Sequence, residues 1–448
     1  MTVHLYQGQR ALRQRRLAAM RRGEAAVLDI GTAKIACLVL KFDAERAQMA
    51  RRMAGVGSLA GQNDLRVIGA ATTQSRGIEF GEIIDMEEAE AAIRTAVQQA
   101  QKMAGVRLDH VIVTFSGGRP RSYGVHGEVN VEDGEVSEYE IGRLLANCDI
   151  PDYGLDTRDA IHALPVNFIL DGKVGLKDPR GQIGNRLGVD LHLLTVGSRV
   201  LQNMMHCIRR CDLELCDVAV APYAAGLSSL VEDEQELGAA CIDMGAGTTG
   251  VSVFFRGQMI FADVVRLGGD HVTRDISQAL RAPEAVCERL KTMNGGLIAT
   301  GMDDRDYVEV PGMVGLGPGE RQQVSRAELI GVIRPRVEEI LEDARAVLDA
   351  SGFQHLPGQR VVLTGGACQL PGMEELATSI LGRQARRGQP LRVAGMPQAT
   401  TGPAFSAVVG LALHTVHPQD ECWDFEMPDD QLGNRSINRA IRWFKDNW

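Results

Sequence analysis

The 448-residue chain lacks several features that mark whole classes of protein. No apolar run approaches the ~20 residues that a membrane-spanning helix requires. The arginine-rich N-terminus is followed by no apolar stretch, so the sequence predicts no secretory signal. The nine cysteines form no Cys-x-x-Cys pair, and an odd, scattered set of thiols favours a reducing compartment over a disulfide-linked secreted fold.

A net positive charge is also lacking, since 58 acidic residues outnumber 48 Lys and Arg and the net charge is −10, and this excludes binding of nucleic acid by bulk electrostatics. The distribution of charge is uneven, however. Residues 2–23 contain arginines but no Asp or Glu, and we expect residues 1–23 to form a disordered basic extension, with a second lipid contact as the alternative. Residues 418–434 contain six acidic and no basic side chains, a composition typical of an extended linker.

One pattern that is present occurs twice. Ala25–Lys34 reads AAVLDIGTAK, and Ala239–Thr249 reads AACIDMGAGTT. Each copy has a short apolar run, then Asp, an apolar residue, Gly and a turn of small residues, and an apolar strand follows. Each copy therefore predicts a β-hairpin, and the pair predicts two lobes of similar fold. Because helical and strand-like patterns alternate along the rest of the chain, we expect an α/β protein.

The two hairpin turns have the composition of a phosphate-binding site. A triphosphate needs inward-pointing backbone N–H groups, hydroxyl donors and a divalent cation, and Mg²⁺ keeps several of its waters when it binds to carboxylates. Two turns that use Gly and Thr by chance are the alternative, but a matched pair favours Mg-ATP. We predict that Asp29 and Asp243 hold Mg²⁺ through water. The predicted nucleotide-binding residues of the two turns are Asp29, Gly31, Thr32, Ala33, Lys34, Asp243, Gly245, Gly247, Thr248 and Thr249.

A third motif supports the pair. Val361–Ala367 reads VVLTGGA, which predicts a buried strand ending in two glycines. Gly365, Gly366 and Ala367 would let the backbone approach a flat base or ribose closely, although a tight strand-to-helix turn would need the same residues.

The order of these three motifs resembles the actin, Hsp70 and sugar-kinase superfold over residues 24–416. The resemblance implies a two-lobed ATPase fold in which the first two motifs bind the phosphates and the third lies near the adenosine. It also implies that Glu288 and Lys291 approach the ribose and adenine. An exposed ion pair on a helix is the alternative for those two residues.

The last residues predict a short amphipathic helix. Ser436–Trp448 has one apolar stripe with basic residues beside it. Thirteen helical residues measure about 20 Å, too short for a bilayer core of ~30 Å, so the helix would lie in the membrane interface. Docking on the protein's own body is the alternative. The predicted membrane-binding residues are Ile437, Arg439, Ile441, Arg442, Trp443, Phe444, Lys445 and Trp448.

An actin-like core followed by a tethered amphipathic helix is similar to the FtsA family of bacterial division proteins. The resemblance implies a protein on the cytoplasmic face of the inner membrane at the division site. There it would polymerise, anchor FtsZ through the FtsZ C-terminal peptide and help to recruit later division proteins through an inserted subdomain. A small-molecule kinase or phosphatase of the same superfold, or a pilus-assembly ATP-binding relative, is the alternative, and ATP hydrolysis would be slow or absent.

The same resemblance divides the chain into segments. The expected segments are the first-lobe core (24–84, 166–213 and 395–417), the small inserted α+β subdomain (85–165), the second-lobe core (214–270 and 339–394), the outer subdomain of the second lobe (271–338), the acidic linker (418–434) and the membrane-binding helix (435–448).

Overall fold

A computed structural model describes residues 3–43, 65–148, 157–311 and 322–416, together with Gln419, Glu421, Cys422 and Phe425. The strands are β1 (Glu24–Ile30), β2 (Lys34–Phe42), β3 (Leu65–Gln74), β4 (Ile78–Glu79), β5 (Glu82–Ile83), β6 (His110–Phe115), β7 (Arg121–Asn130), β8 (Arg158–Leu170), β9 (Lys173–Leu176), β10 (Arg186–Gly197), β11 (Glu214–Val220), β12 (Ala239–Met244), β13 (Thr249–Phe255), β14 (Gln258–Val265), β15 (Tyr307–Val310), β16 (Gln322–Ser325), β17 (Arg360–Thr364) and β18 (Ala385–Arg387).

The α-helices lie before β1, between the strands and after β18. They are α1 (Val3–Met20), α2 (Met86–Ala104), α3 (Glu138–Ala146), α4 (Ser198–Arg210), α5 (Ala221–Ser229), α6 (Glu232–Leu237), α7 (Gly269–Leu280), α8 (Glu284–Asn294), α9 (Arg326–Ala350), α10 (Met373–Leu381) and α11 (Ser406–Val416).

Two five-stranded sheets have the same strand order. The first runs β3-β2-β1-β6-β11 and the second runs β14-β13-β12-β17-β18. In each sheet the first three strands are antiparallel and the last two continue parallel to the third. The two hairpins predicted from the repeat are β1–β2 and β12–β13. The duplication in sequence is therefore a duplication of fold, and the two predicted lobes are confirmed.

The central strands β1 and β12 are buried almost along their whole length. Their apolar runs are continuous rather than alternating because helices pack against both faces of each mixed sheet. In the first lobe, α2 covers one face with the apolar stripe that includes Ile93 and Val97. Asp85 caps this helix by accepting from the N–H groups of Glu87 and Glu88, and Gly105 ends it with a φ of 70°.

The inserted subdomain differs from its expected boundaries of 85–165. A four-stranded sheet, β7-β10-β8-β9, forms the subdomain together with α3, so it spans 121–197. The preceding α2 and β6 belong to the first lobe, where β6 pairs with β1, and β11 also joins this sheet rather than the second lobe. The boundaries were misplaced because buried parallel strands and antiparallel strands can both read as short apolar runs.

The N-terminal extension is a helix, not the disordered tail that was expected. Leu12, Ala19 and Met20 on α1 are buried, and α1 packs against β11. Arg16 is 1% exposed and forms an ion pair with Asp217. The absence of acidic residues suggested a solvated segment, but this helix finds its counter-charges on the first lobe.

The acidic linker is not extended where the structure describes it. Gln419, Glu421, Cys422 and Phe425 are all buried against the body of the protein. Self-repulsion was expected to extend the segment, but the carboxylate of Glu421 lies 3.0 Å from His162 Nδ1 and accepts from the N–H of Ala163 at 3.3 Å. The predicted membrane-binding helix, 435–448, lies outside the described residues. Within the part of the chain that is described, no helix is long and apolar enough to cross a membrane.

Candidate functional site

The two hairpin turns are built alike. The N–H of Gly31 donates to Lys34 O at 3.2 Å, and the N–H of Gly245 donates to Thr248 O at 2.9 Å. A Cβ at either glycine would lie 2.9 Å from that same carbonyl oxygen. Each turn therefore needs glycine at its first position, and each follows directly on a strand that carries an Asp near its end.

A cavity of about 870 Å³ lies between the lobes, and both turns line it. The structure brings together there all but one of the predicted nucleotide-binding residues. Those that line the cavity are Asp29, Gly31, Thr32, Ala33, Lys34, Asp243, Gly245, Gly247, Thr248, Glu288, Lys291, Gly365, Gly366 and Ala367. Thr249 does not line it, because its side chain is fully buried and its hydroxyl donates to Leu267 O at 2.8 Å.

The lobes touch at the turns. A Cβ at Gly247 would lie 2.6 Å from Thr32 Oγ1 on the opposite turn. The hydroxyl of Thr248 lies 3.2 Å from Ser116 Oγ, which follows β6 in the first lobe. A group bound between the turns would therefore contact both lobes at once.

The carboxyl groups of Asp29 and Asp243 both have raised pKa values. Burial raises the pKa of Asp29 to about 6, and the charge of Lys34 opposes that rise. Burial also raises the pKa of Asp243 to about 7, with the negative charge of Asp29 adding to the rise and Lys34 opposing it. Two neighbouring carboxylates are costly in this cavity unless a cation shares it.

The donor set fits a cation that keeps its waters. Among the described residues, no cluster of three or more His, Cys, Asp or Glu could hold a metal by itself. Two carboxylates facing a cavity lined by backbone N–H groups suit Mg²⁺, which takes most of its ligands from water and phosphate oxygens.

Lys34 is engaged differently from the simple phosphate contact that was predicted. Its Nζ donates to Ala404 O and lies 4.7 Å from the centre of the Phe405 ring. The side chain still lines the cavity, and its charge acts on both carboxyl groups.

Glu288 and Lys291 form a buried network rather than an exposed surface pair. Lys291 is 8% exposed, and its Nζ donates to Gly269 O at 2.9 Å, Thr273 Oγ1 at 2.8 Å and Glu288 Oε2 at 2.5 Å. All three N–H donors of this lysine are used inside the second lobe. Lys291 thus fixes the start of α7, whereas the half-exposed Glu288 carboxylate faces the cavity.

The backbone conformation of Gly365 and its close neighbours both require glycine at this position. Its φ is +86°, and a Cβ there would lie 2.6 Å from Asp243 Oδ1. The glycine lets β17 end beside the end of β12, which places Gly366 and Ala367 in the cavity wall.

Several lining residues were missed by sequence reasoning. They are Ser116 after β6, Ala221 and Pro222 after β11, and the Gly269-Asp270 pair after β14. The Gly269-Asp270 pair has a signal in the sequence, because Gly268 and Gly269 follow an apolar strand in the same way as Gly365 and Gly366 do. Ser116 has no such signal, since only the sheet pairing brings it to Thr248.

Comparison with known proteins identifies the family. The family model "Cell division protein FtsA" matches residues 240–410, and "SHS2 domain inserted in FTSA" matches residues 117–195. The cell division protein FtsA of Rhizobium meliloti (strain 1021) is 39% identical, with 96% of each chain covered. The chain belongs to the FtsA family. FtsA of Pseudomonas aeruginosa is 31% identical over 96% of this chain and 100% of its own, and FtsA of Escherichia coli (strain K12) is 29% identical over 86% and 89%.

Solved structures share the fold of this FtsA-family chain. A PilM-PilN type IV pilus biogenesis complex matches with a TM-score of 0.57 at 15% identity, covering 88% of this chain and 99% of its own. MreB5 of Spiroplasma citri bound to ADP matches with a TM-score of 0.50 at 14% identity, covering 87% and 95%. The predicted two-lobed actin-like fold is confirmed. The matched SHS2 range also agrees with the inserted subdomain at 121–197 rather than 85–165.

Proposed function

We propose that the chain binds Mg-ATP between its lobes and acts as a membrane-tethered filament protein that anchors FtsZ to the inner membrane during cell division. The observation that carries the nucleotide part is the pair of matched turns, with Asp29 and Asp243 facing one cavity. Membership of the FtsA family supports the rest. It also favours this function over a small-molecule kinase or phosphatase and over a pilus-assembly relative.

The two turns would bind the phosphates through their backbone N–H groups, with Thr32 and Thr248 adding hydroxyl donors. Bound Mg²⁺ would neutralise charge on the phosphates and on the two carboxylates. Because the cavity wall comes from both lobes, the nucleotide would hold them in one relative orientation. Asp29 and Asp243 would hold the metal, so neither would be available as a general base for hydrolysis. We therefore propose that hydrolysis is slow or absent and that the nucleotide mainly fixes the shape of the subunit.

The membrane part of the proposal comes from the C-terminal sequence. Burying each large apolar side chain of Ile437–Trp448 would contribute about 1.5–3 kcal/mol as an upper estimate. Each nearby cation adds on the order of 1 kcal/mol at an anionic surface. One such helix is a weak anchor, so self-assembly into filaments would strengthen attachment by multivalency.

The proposed partners follow the division of the fold. The outer subdomain at 271–338, built from α7, α8, β15, β16 and the first half of α9, would bind the FtsZ C-terminal peptide. The inserted subdomain would contact later division proteins. Nucleic acid is not among the proposed partners, because the net charge of −10 would repel it.

Electron microscopy on an anionic lipid monolayer tests tethering, assembly and nucleotide dependence together. We expect filaments on the monolayer with Mg-ATP, and loss of protein from the lipid when Ile437–Trp448 is deleted. Ile441→Glu should release the protein from vesicles in sedimentation, whereas Asn438→Glu, on the polar side of the same predicted helix, should release much less. Equal lipid binding by the deletion and the full chain would remove the membrane proposal.

A further inference from the structure

Four residues after α11 form a C-terminal strap, defined as Gln419, Glu421, Cys422 and Phe425. Cys422 is 0% exposed and Phe425 is 6% exposed, and both belong to the apolar core of the inserted subdomain. Gln419 Nε2 donates to Gly257 O, in the β13–β14 turn of the second lobe, at 2.7 Å. The strap thus joins the inserted subdomain to the second lobe.

Glu421 is held by β8 of the inserted subdomain. One of its carboxylate oxygens lies 3.0 Å from His162 Nδ1, and the other accepts from the N–H of Ala163 at 3.3 Å. His162 Nε2 accepts from the N–H of Val220 at 3.3 Å. Because Nε2 is an acceptor, the ring proton lies on Nδ1 and is donated to Glu421. His162 therefore links the strap directly to the end of β11.

The end of β11 is part of the nucleotide cavity. Val220 is followed by Ala221 and Pro222, which both line the cavity. Pro222 is wedged against the second lobe, since its ring would collide with a Cβ at Gly250 and its carbonyl accepts from Ser252 Oγ at 2.8 Å. A shift of the lobes on nucleotide binding would move this wall, and His162 would pass the movement to Glu421.

We infer that docking of the C-terminal strap and occupancy of the cavity are coupled through the connection Glu421–His162–Val220. The inference rests on the proposed binding of Mg-ATP. Nucleotide stabilises the docked strap, and the docked strap strengthens nucleotide binding by the same factor, because such coupling is reciprocal. Release of the strap would lengthen the chain between α11 and the C-terminal segment, by about 3.3–3.6 Å for each residue freed. The state of the cavity therefore controls the reach of the segment that follows.

Alkylation of Cys422 measures strap release directly. All nine cysteines are buried, so each thiol reacts only when its surroundings open. We expect Mg-ATP to slow alkylation of Cys422 in the full chain about five-fold or more, read peptide by peptide in a mass spectrometer. Cys207 is equally buried, on α4 of the first lobe and away from the cavity wall, and serves as the internal control. An unchanged Cys422 rate at saturating nucleotide would overturn the coupling.

Two substitutions of His162 separate the halves of the connection. His162→Asn keeps a donor for Glu421 but loses the acceptor for Val220 N–H, so the strap should stay docked while Mg-ATP no longer protects Cys422. His162→Gln keeps an acceptor for Val220 but loses the bond to Glu421, so Cys422 should react quickly with or without nucleotide. Protection of His162→Asn equal to that of the unaltered chain would also overturn the inference.

Phe425→Ala gives a third measurement that leaves His162 and the cavity unaltered. It loosens the strap only through lost packing, so reciprocity requires Mg-ATP affinity to fall by the same factor by which its protection of Cys422 falls. Normal affinity together with lost Mg-ATP protection of Cys422 would contradict the coupling but leave the proposed function standing. Failure of the unaltered chain to bind Mg-ATP would remove both.

Discussion

The two lobes share one strand order but differ in the turn that each contributes to the cavity. Aligning Asp29 with Asp243 places Gly31 opposite Gly245 and Ala33 opposite Gly247. The shared glycine is required within each turn, because a Cβ at either position would meet the carbonyl of its own turn. Gly247 is required only in the second lobe, where Thr32 of the first lobe approaches it. The duplicated fold therefore explains why each lobe places one carboxylate in the cavity. The difference between Ala33 and Gly247 explains how the two turns can lie in contact.

The lobes also differ at the edges of their sheets. In the first lobe, the edge strand β11 is long and α1 packs against it, whereas the matching strand β18 of the second lobe has three residues. Covering or shortening an edge strand prevents pairing with other chains. The first lobe thus covers its edge strand with a helix, whereas the second lobe has a short edge strand.

Gly247→Val is expected to have the largest effect on the site. The new side chain would collide with Thr32, so the turns could not approach and Mg-ATP affinity should fall by ~100-fold or more, in keeping with several kcal/mol for overpacking. Isothermal titration calorimetry measures the affinity. Ala33→Gly, at the matching position of the first turn, is the control and should bind within a few-fold of the unaltered chain. Normal binding by Gly247→Val would show that the turns need not meet.

Asp243→Asn should separate binding from stability. Loss of one carboxylate should weaken Mg-ATP binding by about 10–100-fold, since charge-assisted contacts contribute about 1.5–3 kcal/mol. The free protein should become more stable at pH 8, by on the order of 1–3 kcal/mol, because burial and Asp29 disfavour the charged form of Asp243. Calorimetry and thermal melts in EDTA provide the two readouts, and Asp29→Asn is the matched variant in the other lobe. A loss of stability in Asp243→Asn would contradict the raised pKa.

Stability of the nucleotide-free protein should fall as the pH rises from about 4 to about 7. The folded carboxyl groups of Asp29 and Asp243 have pKa values of about 6 and about 7, whereas the usual value is 3.8. In this window the folded state holds protons that the unfolded state has lost, so the free energy of unfolding falls with pH. Mg-ATP affinity should rise over the same range, by up to about ten-fold per pH unit for each proton that must be released. Both trends should flatten in the double Asn variant.

The smallest expected effect on Mg-ATP affinity comes from removing one hydroxyl group, and the adjacent threonine serves as the comparison. Thr248→Ala removes the contact with Ser116 across the cavity and should weaken Mg-ATP binding only a few-fold, as about 1 kcal/mol would do. Thr249→Ala removes a buried bond to Leu267 within one lobe. It should lower the free energy of unfolding by about 1–3 kcal/mol with affinity unchanged. If Thr249→Ala weakened Mg-ATP binding and Thr248→Ala lowered only the free energy of unfolding, Thr249 would contact the nucleotide, as the sequence suggested.

Much of the site could be predicted because it is local. A strand, an Asp and a glycine turn are contiguous in sequence, so Asp29–Lys34 and Asp243–Thr248 could be recognised without knowledge of their neighbours. Ser116, Pro222 and Asp270 could not, because each reaches the cavity through pairing of strands that lie far apart in the chain. The errors in the N-terminal extension and the acidic linker have one cause. Composition describes a segment alone, whereas Arg16 and Glu421 are satisfied by Asp217 and His162 on distant strands.

The sequence by itself determined the duplicated hairpins, the two carboxylates and the family of this protein, since these depend on residues close together or on overall similarity. Only the tertiary structure decided where the inserted subdomain begins, that Lys291 serves the second lobe rather than the surface, and that the C-terminal strap lies against His162. Burial and hydrogen bonding across the chain set those features, because a buried polar group must find its partner wherever the fold places one.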